Sequence, residues 1–216
     1  MSNAENDFVA ERRRMVAEQL RPRGIRDPRV LAAFEAIPRH LFVPQESRPW
    51  AYADAPQPIG HEQTISQPYI VAYMTEALHL TGSERVLEVG AGSGYQAAIL
   101  ARLAAEVHTV EIIPELAERA ALTLAALGLT NVHIHKGDGS LGWQESAPYD
   151  AILVAAAAPG VPQPLLDQLS AHGRLILPVG RRGEQQLERW RREGDIFVQD
   201  ALLPVAFVLL RGRHGW

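Results

Sequence analysis

Two short stretches hold the side chains that could do chemistry. Residues 86–95 read VLEVGAGSGY and residues 59–69 read IGHEQTISQPY. In the first, Gly90, Gly92 and Gly94 follow a carboxylate, Glu88, with Ser93 between the last two. Glycines at this spacing accept positive φ and let a ligand lie against bare backbone. A helix beginning just after them would present unpaired N–H groups. The chemistry implied is the binding of a nucleoside ligand. A dinucleotide pyrophosphate asks for G-x-G-x-x-G. Here the spacing is G-x-G-x-G, and Tyr95 stands where the last glycine of the dinucleotide pattern would be. Glu88 is a poor neighbour for a pyrophosphate. It suits a ligand with a cationic end, such as the methionine amino group of S-adenosylmethionine (AdoMet), which is favoured here over NAD.

Two more carboxylates follow at matching places. Glu111 lies 21 residues after Gly90, at the end of the stretch VHTVE. An acidic residue at the end of the second strand can accept hydrogen bonds from both ribose hydroxyls, in NAD and AdoMet sites alike. Asp138 sits between Gly137 and Gly139 in a tight turn, where it could accept from an adenine amino group. Taken singly, each has a plainer reading as a solvated strand end or a turn residue. Together they occupy three successive βα junctions.

The second stretch contains Ser66, His61 and Glu62, the residue types of a hydrolase. A hydrolytic serine needs a sharp elbow of the form G-x-S-x-G, and TISQP is not one. His61 and Glu62 are adjacent, which does not build an ordered relay. By its own sequence Ser66 reads best as a cap for a helix starting near Pro68. His133 and His135 share one strand face as a possible metal pair. No third ligand is evident, so no metal is expected. His40 is expected to fix its loop rather than act as a base.

These residues must be positioned by the elements around them. Asp7–Leu20 is amphipathic at helical spacing, with a solvated basic run at Arg12–Arg14. Residues 28–37 predict a short helix that Pro38 ends. Arg39–Gly60 predicts a long ordered loop stiffened by four prolines. A helix follows Pro68, which suits a first helical turn. Strands are then expected at 85–89, 107–110, 132–135, 149–155 and 174–179, and helices at 95–105, 114–127 and 162–169. Continuous apolar strands alternating with helices imply a parallel sheet covered on both faces. Gln185–Arg192 and Ile196–Leu210, joined at Gly194-Asp195, predict an antiparallel hairpin. The fold class is therefore α/β: a doubly wound, mostly parallel seven-stranded Rossmann-like sheet with an antiparallel C-terminal hairpin and an N-terminal helical elaboration. Residues 1–80 form the helices and lip, and 81–216 the nucleoside-binding domain. The order of the strands at the antiparallel end stays open.

Bulk properties narrow the function. The 216 residues carry a formal charge of −4, which gives no field for nucleic acid or anionic membrane. With no cysteine, disulfides, thiol catalysis and Cys-based zinc sites are excluded. No apolar run reaches membrane-spanning length and the N-terminus lacks a signal-peptide pattern, so a cytoplasmic protein is expected. No long apolar stripe is left over, which predicts a monomer. RGRHGW predicts a mobile end with an exposed Trp216.

LEVGAGSGYQAA resembles the first motif of the class I AdoMet-dependent methyltransferases. RRRMVAEQL, RGIRDPRVLAAFEAIPRHLFVP, AYADAPQPIG, QTISQPYIVAYMTEAL, NVHIHKGDGSLGW and APYDAILVAAAA resemble the protein-L-isoaspartate O-methyltransferase family, from about Arg12 to Leu210. The resemblance implies methyl transfer from AdoMet, leaving S-adenosyl-L-homocysteine, to the free carboxylate of L-isoaspartyl residues in damaged proteins and peptides. It makes Ser66 the active-site residue and Ile59, Gly60 and Thr64 substrate contacts. Gln67 and Pro68 would border the cofactor, beside Glu88, Gly90, Gly92, Ser93, Gly94, Glu111, Ile112, Asp138 and Gly139. After the fourth strand the chain reads AAAAPGVP, without the Asn-Pro-Pro-Tyr type motif of many amino-group methyltransferases. His61-Glu62 departs from the small or aromatic residues expected there, and the tail lacks an expected proline. Another carboxyl or small-molecule O-methyltransferase, and a non-catalytic AdoMet-binding module, are the alternatives.

Overall fold

The computed structural model describes residues 3–216, with side chains from Asp7 onward. Helix α1 runs Asn3–Met15 and continues through a π-helical turn, Val16–Leu20, and a 3-10 turn, Arg21–Arg23. Helix α2, Pro28–Ala36, starts on an Asp27 cap whose side chain accepts from the Arg29 N–H. Its Pro28 occupies the first turn, where a missing N–H costs nothing.

The expected loop at 39–60 is more structured than its composition predicts. It contains 3-10 turns at Arg39–Phe42 and Gln45–Trp50, and its end is a strand, β1, Gln57–Gly60. Strand β1 pairs antiparallel with β2, Gln63–Ile65, through the two residues His61 and Glu62. Those two have φ of 52° and 60°. Positive φ at both central residues is the type I′ geometry that matches the twist of a hairpin. His61-Glu62 is therefore a hairpin turn without the usual Asn-Gly. Helix α3, Pro68–Ala77, follows directly, with Gln67 as its N-cap residue and no side-chain cap bond. The plain reading of Ser66 as a helix cap does not hold.

The main sheet comprises β3 (Arg85–Val89), β4 (Glu106–Glu111), β5 (Val132–Lys136), β6 (Tyr149–Val154), β7 (Leu169–Val179), β8 (Gln185–Glu193) and β9 (Ile196–Val205). Helices α4 (Tyr95–Ala101), α5 (Pro114–Ala126) and α6 (Gln163–Asp167) connect its parallel part. The order is β5-β4-β3-β6-β7-β8-β9. The first four neighbouring pairs are parallel and the last two antiparallel. The antiparallel end is thus a simple meander. The chain walks outward from β3 to β5, then returns to β6 on the other side of β3. That reversal opens a crevice at the carboxyl ends of β3 and β6, where open α/β sheets bind ligands.

One face of the sheet, with Val86, Val107, Leu153 and Ile176, packs into the same apolar cluster as Leu20, Phe34, Phe42 and Tyr52 of the N-terminal elements. Tyr95 ties the two parts. Its buried ring meets Phe34 and Phe42 edge-on at 6.0 and 5.4 Å. The other face, with Leu87, Val89, Ile152 and Leu175, packs against Leu165 of α6 and Leu210 of the tail.

Candidate active site

The crevice is a cleft open to solvent. Its floor is the glycine loop between β3 and α4, and the ends of β4 and β6. Gly92 has a φ of 53°, a conformation that strains any larger residue. Its N–H donates to Glu111 Oε2 at 2.7 Å, and the Ile113 N–H donates to Glu111 Oε1 at 2.9 Å. Glu111 is thereby locked at the cleft edge with acceptor sites to spare, since a carboxylate has about four.

Glu88 is fully buried and lines the cleft. Thr109 Oγ1 donates to its Oε2 at 2.5 Å. Its Oε1 has no hydrogen-bond partner among the described residues. Burial pushes the carboxyl up to about 8, against the Thr109 hydrogen bond and assisted by the nearby Glu111 charge. An orphaned buried acceptor costs about 1–3 kcal/mol, and a cationic ligand group in the cleft would relieve it. The residues present fit an AdoMet amino end.

Thr64, Ser66, Glu88, Gly90, Gly92, Ser93, Glu111, Ile112 and Gly139 all line this cleft. Gln67 lies instead on an outer recess with Pro56, Ile70 and Pro204. Thr64, Ser66, Ala155, Phe207 and Val208 line both spaces, so they form a common wall. Gly94 caps α4 at φ 86° and packs against α5, where a Cβ would lie 3.1 Å from Ala120 Cβ. Pro68 is buried in the first turn of α3. Ile59 is buried behind Gly92, 3.4 Å from where a Cβ would sit, and its carbonyl accepts from Arg119 Nη2 at 2.5 Å. Gly60 belongs to the hairpin.

Asp138 is turned toward the C-terminal tail. Its Oδ2 accepts from the Arg213 N–H at 2.7 Å, and its Oδ1 from the Ser140 N–H and hydroxyl at 2.9 and 2.7 Å. Burial raises this carboxyl, but those hydrogen bonds outweigh it and hold the group below its ordinary value. The tail is docked, contrary to the mobile end expected from RGRHGW. Leu210 N–H donates to Ala157 O at 2.8 Å, and Trp216 Nε1 to the same carbonyl at 3.0 Å. Phe207–Arg211 close one side of the cleft. Each docking bond has a backbone group on one side, which a side-chain pattern does not announce.

Other residues were missed or only half seen. Arg39, read as part of a loop, is wholly buried, and its Nη2 donates to Ser66 O at 2.7 Å. Its neighbour His40 does fix that loop: its Nδ1 is 2.8 Å from Tyr52 Oη and its ring stacks on Phe8 at 4.1 Å. His133 and His135 are joined by His108, whose Nδ1 is 3.0 Å from His135 Nε2. Burial and the neighbouring histidines lower His135 to about 4. Among the described residues no group of three or more side chains could hold a metal ion.

A doubly wound sheet with a glycine loop, a buried carboxylate beneath it and a second one locked at the next strand end defines a class I AdoMet-dependent methyltransferase. The family model for protein-L-isoaspartate(D-aspartate) O-methyltransferase (PCMT) matches residues 11–215. Similar proteins include a protein-L-isoaspartate O-methyltransferase of Methanoregula boonei, 56% identical over 95% of this chain and 95% of that protein. Another, of Roseiflexus sp., is 56% identical over 97% of this chain and 96% of its own. A solved protein-L-isoaspartate O-methyltransferase is 29% identical with a TM-score of 0.83, covering 94% of this chain and 67% of its own. A Plasmodium falciparum structure in complex with S-adenosyl-L-homocysteine is 25% identical, with a TM-score of 0.82 over 93% of this chain and 98% of its own. The chain belongs to the protein-L-isoaspartate(D-aspartate) O-methyltransferase family.

Proposed function

We propose that the two spaces hold the two partners of one methyl transfer, which meet at the wall they share. The chain is an AdoMet-dependent protein carboxyl O-methyltransferase. It methylates the free carboxylate of L-isoaspartyl residues in damaged proteins and peptides, and the ester then closes to a succinimide, which begins repair. The observation that carries the geometry is the common wall of Thr64, Ser66 and Ala155.

In the inner cleft, Glu88 would receive the amino group of the cofactor and Glu111 its ribose hydroxyls. Gly90, Gly92 and Gly94 would supply bare backbone, with Ser93 and Ile112 beside them and Gln67 and Pro68 at the border. Asp138 and Gly139 would face the adenine. Asp138 already accepts three hydrogen bonds, which leaves about one acceptor site for the adenine amino group. Ile59, Gly60 and Thr64 would contact the peptide, and Ser66 would orient its carboxylate.

AdoMet supplies a methyl group on a positively charged sulfur, so an O–CH₃ bond forms as the S–CH₃ bond breaks and no proton changes hands. The protein therefore needs no general base. A carboxylate with a reference pKa of about 4 is ionised at neutral pH. What the residues must do is align the partners and exclude water, because hydration of an anion that is about to be neutralised raises the barrier. The small Ala155 leaves room at the wall, and Phe207 and Val208 keep it apolar.

Residues 1–80 act in this reading as helices and lip packed on the 81–216 methyltransferase domain. We also infer a cytoplasmic monomer that does not bind nucleic acid. The charge of −4 supports it, as does the spread of the exposed large apolar residues, which include Trp50, Leu122, Ile196 and Trp216, over separate elements. No described helix is long and apolar enough to cross a membrane.

The test is transfer of labelled methyl from AdoMet to one peptide in isoaspartyl and ordinary aspartyl forms. Transfer to the isoaspartyl form alone, with label released in mild base, is the expected result. Transfer to neither form would remove the repair assignment.

A further inference from the structure

We propose that Arg39 is a positioning residue for Ser66, a proposal that rests on the role given to Ser66 above. The Arg39 side chain is wholly buried. Its Nε donates to Ala51 O at 2.7 Å and its Nη2 to Ser66 O at 2.7 Å. The guanidinium lies 4.8 Å from the centre of the Tyr95 ring. Its Nη1 has no hydrogen-bond partner among the described residues, and none of the ion pairs among them includes Arg39.

This is an expensive arrangement if its purpose is packing alone. A buried charge without a counter-ion costs stability, and an apolar side chain of similar volume often serves stability better. What an apolar side chain cannot do is grip two carbonyls from separate segments with one rigid fork. Ala51 ends the 3-10 turn Gln45–Trp50. Ser66 is the link between β2 and α3, on the wall common to the two spaces. Holding the Ser66 carbonyl fixes the Ser66–Gln67 peptide plane. The carbonyl is committed to the interior, and the orientation of the serine on the cleft wall is set. Tyr95, which follows the glycine loop, supplies the face on which the guanidinium rests. One buried cation thus registers the substrate lip against the start of α4.

The experiment is a double-mutant cycle between Arg39→Lys and Ser66→Ala, which reads coupling directly. Lysine keeps the charge but loses the fork. Arg39→Lys is expected to lower kcat about tenfold while affinity for S-adenosyl-L-homocysteine stays within about twofold. In the Ser66→Ala background the same change is expected to lower kcat less than about twofold, because there is no hydroxyl left to misplace. An equal loss in both backgrounds, or an unchanged kcat in Arg39→Lys, overturns the proposal while leaving Ser66 its role. An unchanged kcat in Ser66→Ala alone sinks the Ser66 reading and this proposal with it. Thermal melting accompanies each variant. Should Arg39→Lys not fold, Arg39→Gln is measured in the same cycle with the same expectations. Failure of both to fold assigns the guanidinium to stability and overturns the proposal.

Discussion

The inner and outer walls of the cleft are built by opposite means. The inner wall is local: Glu88 comes from the end of β3, Gly90, Gly92 and Ser93 from the loop that follows it, and Glu111 from the end of the neighbouring strand. Backbone conformation and two short hydrogen bonds to Glu111 fix it. The outer wall is assembled from distant segments. Ser66 is held by Arg39, Ile59 by Arg119, and the tail by Asp138 and Ala157. A wall that must accept one small molecule can be rigid and compact. In the reading proposed above the other wall admits a peptide chain, and it is made of pieces, each tied separately to the body. The first is therefore sensitive to backbone changes and the second to single side chains.

The largest expected effect comes from the inner wall. Gly92→Val places a β-branched residue at positive φ and drives its side chain toward Ile59. Affinity for S-adenosyl-L-homocysteine by calorimetry should fall at least about 100-fold. A loss below about tenfold would mean that the ligand does not lie on this loop. On the outer wall, Ser66→Ala should lower kcat about ten- to a hundredfold with S-adenosyl-L-homocysteine affinity kept within about twofold. A matching loss of affinity would merge the two walls into one functional unit.

Glu88 gives a pH-dependent effect, read on stability rather than on binding or turnover. Its carboxyl is raised from the ordinary 4.5 to about 8, so between those values the native state holds a proton that the unfolded chain has released. Its stabilising contribution is complete below pH 4.5 and is lost as pH rises through 8. Glu88→Gln should remove a decline on the order of 3 kcal/mol between pH 5 and 8 in the ligand-free protein, read from urea unfolding at several pH values. An unchanged slope would place the proton elsewhere. The smallest effect is at the hairpin turn. Asn and Gly suit a type I′ turn better than His61 and Glu62. The pair His61→Asn and Glu62→Gly relieves left-handed strain at φ 52° and 60° and should stabilise the protein by about 1 kcal/mol, seen as a raised melting temperature. Lost activity in that variant would show that the turn contacts the peptide.

The same contrast decides what could be read from the sequence. The inner wall was legible because Glu88, the glycines and Glu111 each sit at a fixed offset from a strand end. The sheet was legible because its strands are continuous apolar runs. Ends were read less well. Strand β9 was expected to reach Leu210 but stops at Val205, because its partner β8 begins at Gln185, opposite Val205, and Phe207 N and O beyond it bond the Gln185 side chain instead of a backbone ladder. Strand β7 begins earlier than Arg174 because a shift in register lets Leu169 pair with Tyr149. The clamp by Arg39 and the docking of the tail on Asp138 were not legible. Both use backbone acceptors or donors far away in the chain, and no spacing rule marks them.

The shared wall has a practical consequence for ligands made by chemists. A fragment that fits the inner cleft and one that fits the outer recess would end within reach of each other beside Ala155. Joining them with a short linker makes the second binding step intramolecular, and such linkage raises affinity by about 10²–10⁴ without new contacts when the geometry permits both ends to seat. The linker would have to run along the shared residues Thr64, Ser66 and Ala155, with the bulk of the ligand at its two ends.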